Sequence, residues 1–502
     1  MSLNLCYLNL LPLLSELFLI FLICFCLIFG SLVSNLKQFH FPLVQNSIQF
    51  FTLQGVFLSF ILLVNSTPIF FDFWNKLLIA DSFTFYGKLL IFFFTLSWLF
   101  IFQNSRRILN FEFWILILLS ILALNLLIQA NDLLSIYLLI EFFSLIFYIL
   151  ASFNRISEFS TEAGLKYFIL GAFASSFLLF GFSLLYNFIG VTNLNDLFIF
   201  FASYQLSKLF IFNKGLFISI ICILIALFFK LGVAPFHFWL SDIYEGAPMK
   251  VTAFFATLPK FVILLVIFRF IFTGFGTFLF NEIYFFLIFC TFTSNLIGTA
   301  GAFLQKKWKR FVAFSSISHI SFFLINFCSL TLLNIIHLII YLIIYLFTIY
   351  QFFSIFSFVQ EFKFPKKINL RFFNSLIFLN ITNPLLALIF SISLFSLAGI
   401  PPLAGFFAKF FVLFSAISFS FFFLVFSMLL LNCISCFYYI NLIKKNYFNN
   451  LNFSYLPVFV SESCNLNPLI LNLFTLILIL IFLDLDFIFL IANLMCGSFL
   501  II

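Results

Sequence analysis

The segment from Phe228 to Lys260 constrains the fold most strongly, because it places two lysines inside long apolar sequence. An apolar run leads directly into Lys230, Ala234-Pro235 then interrupts the helical pattern, and a second apolar run carries Lys260. Ionisable residues inside hydrocarbon are costly and indicate functional sites. Interrupted helices at membrane depth are typical of ion or substrate pathways. The segment therefore predicts a membrane protein with a buried ionisable site.

Composition extends this prediction to the whole chain. Hydrophobic residues make up 65% of the sequence and charged residues 8%, whereas soluble domains carry about 25% charged residues. We therefore expect an all-α polytopic membrane protein, and 502 residues accommodate about fourteen spans. The net charge of +8 comes mainly from short loops, where membrane topology explains it, so nucleic-acid binding is not predicted.

Hydrophobic runs and their interruptions give the spans. The last third holds the least certain boundary, since 373–414 fits either one long broken helix or two spans. The predicted spans are 10–33, 47–66, 83–102, 112–129, 133–153, 162–188, 214–238 (broken), 250–273, 278–303, 310–330, 332–358, 373–414 (broken), 419–443 and 467–490.

The basic residues predict the orientation. Loops from odd to even spans hold 15 lysines and arginines, and the opposite loops hold 5. By the positive-inside rule, the richer side faces the cytoplasm or matrix, so both termini face the other side. The five residues assigned to the poorer side are Lys76, Lys88, Lys208, Lys214 and Arg269.

A second interrupted segment runs from Ser396 to Val412. Pro401-Pro402 removes two backbone donors and breaks the helix, and Lys409 follows within the same apolar sequence. Paired breaks of this kind are typical of internally duplicated transporters. The pattern predicts two units of about five helices.

Further polar residues lie near these lysines. Glu141 has several apolar turns on both sides, which favours a functional carboxylate over one locked in helix packing. Lys166 lies four residues after Glu162, so a surface ion pair or a snorkelling lysine is as good an interpretation as a functional one. His237 and His319 are candidate proton relays because histidine titrates near neutral pH.

The sequence lacks the signatures of a redox centre. The ten cysteines are scattered, and the Cys433–Cys436 pair has no second pair, so buried apolar side chains are the better interpretation. Neither a four-cysteine iron–sulfur run nor a dinucleotide or phosphate loop occurs. We expect no cofactor and no metal bound by this chain.

Buried lysines facing a carboxylate suit proton transfer. Burial lowers the pKa of a lysine, and a nearby carboxylate raises it. At about 4 Å and an effective dielectric of about 20, the attraction is about 4 kcal/mol. Moving a charge against 100 mV costs about 2.3 kcal/mol. A change in the distance between Glu141 and a buried lysine would therefore supply enough free energy to move one proton against that potential.

Four stretches resemble the antiporter-like membrane subunits of respiratory complex I, and most closely the subunit 2 type. They lie in order within roughly 110–445 and read AGLKYFILGAFASS, FKLGVAPFHFWLSDIYEGAP, KRFVAFSSISH and LAGIPPLAGFFAKF.

The resemblance implies fourteen helices with two inverted five-helix repeats, in which helices 7 and 12 are broken. The implied domains are 1–110 with helices 1–3, 111–275 with the first repeat, 276–445 with the second repeat, and 446–502 with helix 14. It also implies roles for the residues that match the family's motifs. Glu141 pairs with Lys230, Lys260 is the central relay, and Lys409 leads to the exit. The remaining matches are Lys166, His237 and His319.

The implied function is proton translocation within NADH:quinone oxidoreductase. Flavin mononucleotide, iron–sulfur clusters and quinone then belong to the complex rather than to this chain. Expected partners are the subunit 4 type, the small subunits next to the quinone-side arm, and membrane lipids. The AT-rich codon bias behind 93 phenylalanines suggests an organelle or endosymbiont genome, so we expect the mitochondrial inner membrane, with the bacterial plasma membrane as the alternative.

Four alternatives remain open from the sequence. They are a multisubunit cation/proton antiporter or membrane-bound hydrogenase, the plastid homologue, a free-standing solute transporter, and a structural membrane scaffold.

Overall fold

The computed structural model describes residues 10–35, 41–68, 70–102, 110–204, 210–275, 280–329, 331–363, 366–376, 379–448, 458–459 and 466–497. Within these ranges the chain is almost entirely helical. The helices are α1 Leu14–Asn35, α2 Phe41–Val64, α3 Ser82–Ile101, α4 Glu112–Gln129, α5 Leu133–Ala151, α6 Glu158–Ile189, α7 Leu194–Tyr204, α8 Phe210–Leu231, α9 Leu240–Gly246, α10 Met249–Arg269, α11 Phe280–Leu304, α12 Trp308–Phe327, α13 Leu332–Phe358, α14 Leu379–Thr382, α15 Pro384–Ala398, α16 Ala404–Ser418, α17 Phe422–Phe448, α18 Leu466–Leu480 and α19 Asp486–Cys496.

Twelve helices in the described ranges are long and apolar enough to cross a membrane. Two pairs of shorter apolar helices, α15 with α16 and α18 with α19, add two interrupted segments. The expected fourteen-segment, all-α membrane fold is therefore confirmed. The predicted final span, 467–490, is interrupted between α18 and α19, and 373–414 begins with a 3-10 turn at Phe373–Leu376 and the short α14 before α15.

Two small antiparallel sheets lie in the connections between helices. Strands β1 Phe71–Phe73 and β2 Leu78–Ala80 form a hairpin in which Phe71 pairs with Ala80. A three-stranded sheet has the order β4-β3-β5. Its strands are β3 Gln360–Lys363, β4 Lys366–Asn369 and β5 Val458–Phe459.

The break after α8 begins at Gly232, whose φ of 79° ends the helix in the left-handed region. Pro235, three residues on, has no N–H and cannot continue the helical hydrogen bonds. The indole of Trp239 donates to the Phe229 carbonyl at 2.8 Å. The Phe229 carbonyl also accepts from the Gly232 N–H at 3.0 Å, so a backbone donor and a side-chain donor together satisfy the helix end at membrane depth.

The break between α15 and α16 has the same construction but a different donor. Gly399 ends α15 with a φ of 83°, and Pro401-Pro402 follows. Here the Lys409 ammonium donates to the Ala398 carbonyl at 2.8 Å. The second break thus uses the candidate lysine itself as the donor.

Helix α10 lies at the centre of the molecule. Every residue from Lys250 to Arg269 is buried, and α10 contacts α4, α8, α12 and α13. Helices α1, α2, α6 and α17 lie at the periphery and expose long apolar faces. Lys260 is therefore surrounded by protein, because its helix has no face toward lipid.

Several basic residues assigned to loops by sequence lie inside helices, and two of them, Lys88 and Arg269, are buried beside carboxylates. Lys88 is in α3 and Arg269 ends α10, and they are 2% and 4% exposed. Lys88 forms an ion pair with Glu16, and Arg269 donates to Asp81 at 2.8 Å. The loop assignment was wrong for both, because a buried carboxylate compensates each charge.

Some sequence predictions fall outside the described residues. The orientation count includes Lys37, Arg106, Arg107 and Lys208, which lie there. Parts of three predicted spans, at 278–279, 330 and 377–378, also lie outside.

Candidate functional site

Lys230 lies in the last turn of α8, directly before the first break, and is 6% exposed. Its Nζ donates to the Tyr148 hydroxyl at 3.4 Å. The ammonium also lies 6.0 Å from the ring centroid of Phe143 and 5.8 Å from that of Tyr148, which is within the range of cation–π attraction. The Lys230 ammonium is therefore stabilised by neutral groups of α5.

Glu141 lies on α5, seven residues before Tyr148 and so on the same face. The Ser144 hydroxyl donates to the Glu141 carbonyl at 3.0 Å and reaches its Oε2 at 3.5 Å. Oε1 is buried without a hydrogen-bond partner among the described residues. The resemblance implies that Glu141 pairs with Lys230, but the two side chains are not in direct contact here. The Lys230 ammonium donates to the Tyr148 hydroxyl instead.

Lys260 lies near the middle of α10 and is 3% exposed. Its Nζ donates to the Ser316 hydroxyl of α12 at 2.6 Å and lies 5.5 Å from the ring centroid of Tyr244. The Ser316 hydroxyl in turn donates to the Ala313 carbonyl at 2.7 Å. The central lysine is thus bound to the second half of the chain by a neutral hydroxyl.

His319 lies on α12, three residues after Ser316. Its Nδ1 is 2.8 Å from the Tyr341 hydroxyl, and its Nε2 is 3.4 Å from the Tyr439 hydroxyl. Both ring nitrogens therefore face phenols. His319 and Lys409 both line a cavity of about 10 Å³, which is the smallest volume that holds one water molecule.

Lys409 lies in α16 and is 5% exposed. Besides the Ala398 carbonyl, its Nζ donates to Asn432 Oδ1 of α17 at 2.6 Å, and it lies 5.5 Å from the ring centroid of Phe322. The Lys409 ammonium therefore donates to two uncharged oxygen acceptors.

Lys166 lies outside this buried series of polar side chains. Its side chain is 43% exposed and pairs with Glu162 at 2.6 Å and Asp242 at 3.2 Å. Asp242 also accepts from Arg310 at 3.5 Å. Arg310 and Lys307 both pair with Glu245. The ion pair with Glu162 is the alternative that spacing alone had left open.

His237 follows the first break and is half-buried. Its ring stacks on Phe238 at 4.9 Å, and Nδ1 has no hydrogen-bond partner among the described residues. Within the described ranges, no hydrogen bond joins it to Lys230 or Lys260. The structure therefore brings together Glu141 with Lys230, and Lys260 with His319 and Lys409, and leaves His237 and Lys166 beside them.

Sequence reasoning missed the neutral partners of the lysines. A signal was present, since serine, tyrosine and asparagine interrupt otherwise apolar helices, and Ser144 and Tyr148 follow Glu141 at helical spacing. Hydroxyls are common in membrane helices, however, so spacing alone does not select these. The missed partners of the lysines, of Glu141 and of His319 are Ser144, Tyr148, Ser316, Tyr341, Asn432 and Tyr439.

The described residues hold no group of three or more His, Cys, Asp or Glu side chains arranged to bind a metal ion. Cys433 and Cys436 are both free thiols. The site's chemistry therefore rests on lysines, one carboxylate, one imidazole and hydroxyls, all of which exchange protons through hydrogen bonds.

Residues 130–435 match the family described as NADH:quinone oxidoreductase/Mrp antiporter, TM. The chain is 38% identical over 441 residues to NADH-ubiquinone oxidoreductase chain 2 of Oenothera berteroana, and the match covers 86% of this chain and 88% of the relative. These matches confirm the resemblance predicted from the four motifs.

Two solved structures have the same fold. A chain of respiratory complex I from Thermus thermophilus with bound aureothin has a TM-score of 0.76 at 24% identity, covering 95% of this chain and 98% of that chain. A chain of the Mrp complex from Dietzia sp. DQ12-45-1b has a TM-score of 0.78 at 17% identity, covering 98% of both chains. At these identities the likeness shows the fold alone.

Proposed function

We propose that this chain, which belongs to the NADH:quinone oxidoreductase/Mrp antiporter transmembrane family, moves protons across the membrane as a membrane-arm subunit of an NADH:quinone oxidoreductase. One observation carries the proposal. Lys230, Lys260 and Lys409 are all buried, and the hydrogen-bond acceptors found for each ammonium are uncharged.

Neutral partners matter because they leave the charge on each lysine adjustable. A carboxylate in direct contact fixes an ammonium, since their attraction is several kcal/mol in a partly dry site. A hydroxyl, carbonyl or amide oxygen stabilises the ammonium by only about 1.5–3 kcal/mol. A modest change in a nearby charge then decides whether the lysine keeps or releases its proton.

The proposed order of transfer follows the geometry. Glu141 and Lys230 form the first station and Lys260 the second. His319, with its phenol partners, is the third, and Lys409 is the fourth. His237 and Lys166 contribute from outside this series. His237 does so at the first break, and Lys166 through the surface ion pairs.

The chain has a non-redox role in this proposal. Electron transfer among flavin mononucleotide, iron–sulfur clusters and quinone takes place in other subunits and supplies the energy. The proposed neighbours are the subunit 4 type, the small subunits next to the quinone-side arm, and membrane lipids. The proposed location is the mitochondrial inner membrane with both termini in the intermembrane space, or the bacterial plasma membrane.

A multisubunit cation/proton antiporter is the second candidate, favoured by the likeness to the Mrp complex chain. The two candidates differ in what purifies with the chain. Isolation with a flavin and iron–sulfur arm supports the first. Isolation without that arm, together with sodium-dependent proton exchange, overturns it.

The direct test is Lys230→Ala in the assembled complex. We expect NADH oxidation with an artificial acceptor to stay intact, because that reaction needs no membrane lysine. Quinone-linked turnover and proton pumping should both fall. Lys444→Ala, at an exposed position of α17, is the matched control and should pump normally. Normal pumping by Lys230→Ala overturns the proposal for this residue.

A further inference from the structure

We propose that Tyr148 and Ser144 form a two-hydroxyl bridge that carries a proton between Lys230 and Glu141, and that Gly171 provides the space the bridge needs. The inference rests on the proposed proton-transfer function and assigns further residues to its first station. It explains how the two charged residues of that station communicate although they do not touch.

The bridge follows one face of α5. Glu141, Ser144 and Tyr148 are spaced three and four residues apart, so they lie in a row along the helix. Lys230 Nζ is 3.4 Å from the Tyr148 hydroxyl at one end. Ser144 Oγ is 3.5 Å from Glu141 Oε2 at the other. Tyr148 follows Ser144 by four residues, so the two side chains are neighbours on one face of α5, which completes the row.

Packing by α6 fixes the direction of the phenol. The Tyr148 ring meets Tyr167 edge to face at 4.8 Å and Phe168 at 5.6 Å. A Cβ atom placed on Gly171 would lie 2.0 Å from the Tyr148 hydroxyl and 2.7 Å from its Cζ. Any side chain at 171 would therefore displace the hydroxyl that meets Lys230. We infer that this glycine keeps the path open.

The proton step balances without any further reactant. The Lys230 ammonium gives a proton to the Tyr148 oxygen, as the Tyr148 hydroxyl proton passes to Ser144 Oγ. The Ser144 proton then passes to the Glu141 carboxylate. One N–H bond is lost on Lys230, and one O–H bond is gained on Glu141. Both hydroxyls keep their composition, because each donates and accepts one proton.

The central experiment is Tyr148→Phe in the assembled complex. This change keeps the ring and its contacts with Tyr167 and Phe168, and removes only the hydroxyl. We expect quinone-linked turnover and pumping to fall about tenfold or more, with NADH oxidation by an artificial acceptor unchanged. The pH profile of the remaining turnover should also change, which a packing defect would not cause. Tyr167→Phe removes a neighbouring buried hydroxyl and is the control.

Ser144→Ala is the second variant, because it removes the other hydroxyl with a smaller change in volume. We expect a loss of pumping of the same kind as in Tyr148→Phe. Unchanged pumping in an assembled Ser144→Ala complex overturns the two-hydroxyl bridge.

Gly171→Ala tests the clearance. Its matched control is Gly215→Ala, because a Cβ there would lie 2.3 Å from the ring tip of Phe188, a contact of similar severity between α8 and α6. We expect Gly171→Ala to lower pumping and Gly215→Ala to leave the ratio of pumping to NADH oxidation unchanged. In a Tyr148→Phe background, Gly171→Ala should add little further loss. Full additivity overturns the assignment of Gly171 to the bridge.

Failure of the bridge and failure of the proposed function give different results. If Lys230→Ala impairs pumping while assembled Tyr148→Phe and Ser144→Ala pump like the wild type, the bridge is overturned and the proposed function stands. If Lys230→Ala pumps normally, the proton route through Lys230 is overturned together with the bridge.

Discussion

Two glutamate–lysine sets in the described helices differ in whether the charges are in contact. Glu16 of α1 and Lys88 of α3 form a direct ion pair with side chains 2% and 3% exposed. Glu141 of α5 and Lys230 of α8 form no direct ion pair, and the Lys230 ammonium donates to the Tyr148 hydroxyl instead. We call the Glu16–Lys88 pair closed, because its charges are in contact, and the Glu141–Lys230 set open, because its charges are not.

The surroundings of the closed pair show why it stays closed. The Ser15 hydroxyl donates to Glu16 at 2.8 Å, and Lys88 also donates to the Pro12 carbonyl at 3.2 Å. Each charge therefore has its opposite and one further partner. A pair of this kind tethers α1 to α3, and neither residue is free to exchange a proton. Separation of the two charges, rather than burial alone, distinguishes a proton site from a structural tether.

The largest effect on stability is expected for Lys88→Met. Removing one partner leaves the Glu16 charge buried and uncompensated, which costs about 3–5 kcal/mol. The amount of assembled complex and its thermal midpoint should both fall clearly. The double variant Glu16→Leu/Lys88→Met should recover assembly and pump normally, because an apolar pair replaces the tether. A double variant that assembles but does not pump would show that the closed pair takes part in transfer.

Asn432→Leu is expected to have the next largest effect, in the second half of the molecule. It removes the 2.6 Å acceptor of Lys409 and leaves the ammonium with the Ala398 carbonyl. Losing a hydrogen bond to a charged group is worth about 1.5–3 kcal/mol, so pumping should fall about tenfold or more at unchanged NADH oxidation. The adjacent exposed change Cys433→Ser should have no effect. Equal pumping by both variants would contradict a role for Asn432.

A smaller effect is expected for Ser316→Ala. Lys260 then loses its 2.6 Å hydroxyl acceptor but keeps the face of Tyr244. Quinone-linked turnover should fall about tenfold, at the lower end of the range of about 1.5–3 kcal/mol for a hydrogen bond to a charged group, because the Tyr244 ring remains. Ser321→Ala, which removes another buried hydroxyl of α12 that donates to the Ser318 carbonyl, is the control. A Ser316→Ala complex as active as the control would remove Ser316 from the route.

The smallest effect is expected for Lys166→Gln. The side chain is 43% exposed, and its ion pairs with Glu162 and Asp242 lie at the surface, where such pairs contribute little. Pumping should remain well above that of Lys230→Ala, measured in the same membranes. A loss as large as that of Lys230→Ala would place Lys166 on the buried route.

Much of the architecture was predictable from the sequence. Hydrophobic runs gave α4 and α13 with correct bounds, and Pro235 and Pro401-Pro402 marked both broken helices. These predictions succeed because span length follows from bilayer thickness, and because proline cannot donate to a helix.

The partners of the lysines were not predictable in the same way. Burial of Lys230, Lys260 and Lys409 followed from their depth in apolar sequence, but Lys88 was placed in a loop and Tyr148 was overlooked. Lipid and protein interior are equally apolar, so hydropathy does not say which helix face meets a neighbour. Burying a hydroxyl costs little free energy in lipid or in protein, so its presence in the sequence does not indicate which of the two it faces.

The sequence by itself determined a membrane fold with two interrupted helices and lysines buried beside them, because transfer free energy and backbone geometry act locally. Only the tertiary structure decided which ammonium meets a carboxylate and which meets a phenol. The physical reason is that an ion pair depends on a few ångströms between side chains on different helices, and helix packing sets that distance. Glu16 and Lys88 are 72 residues apart and in contact, whereas Lys230 meets the Tyr148 hydroxyl and not Glu141.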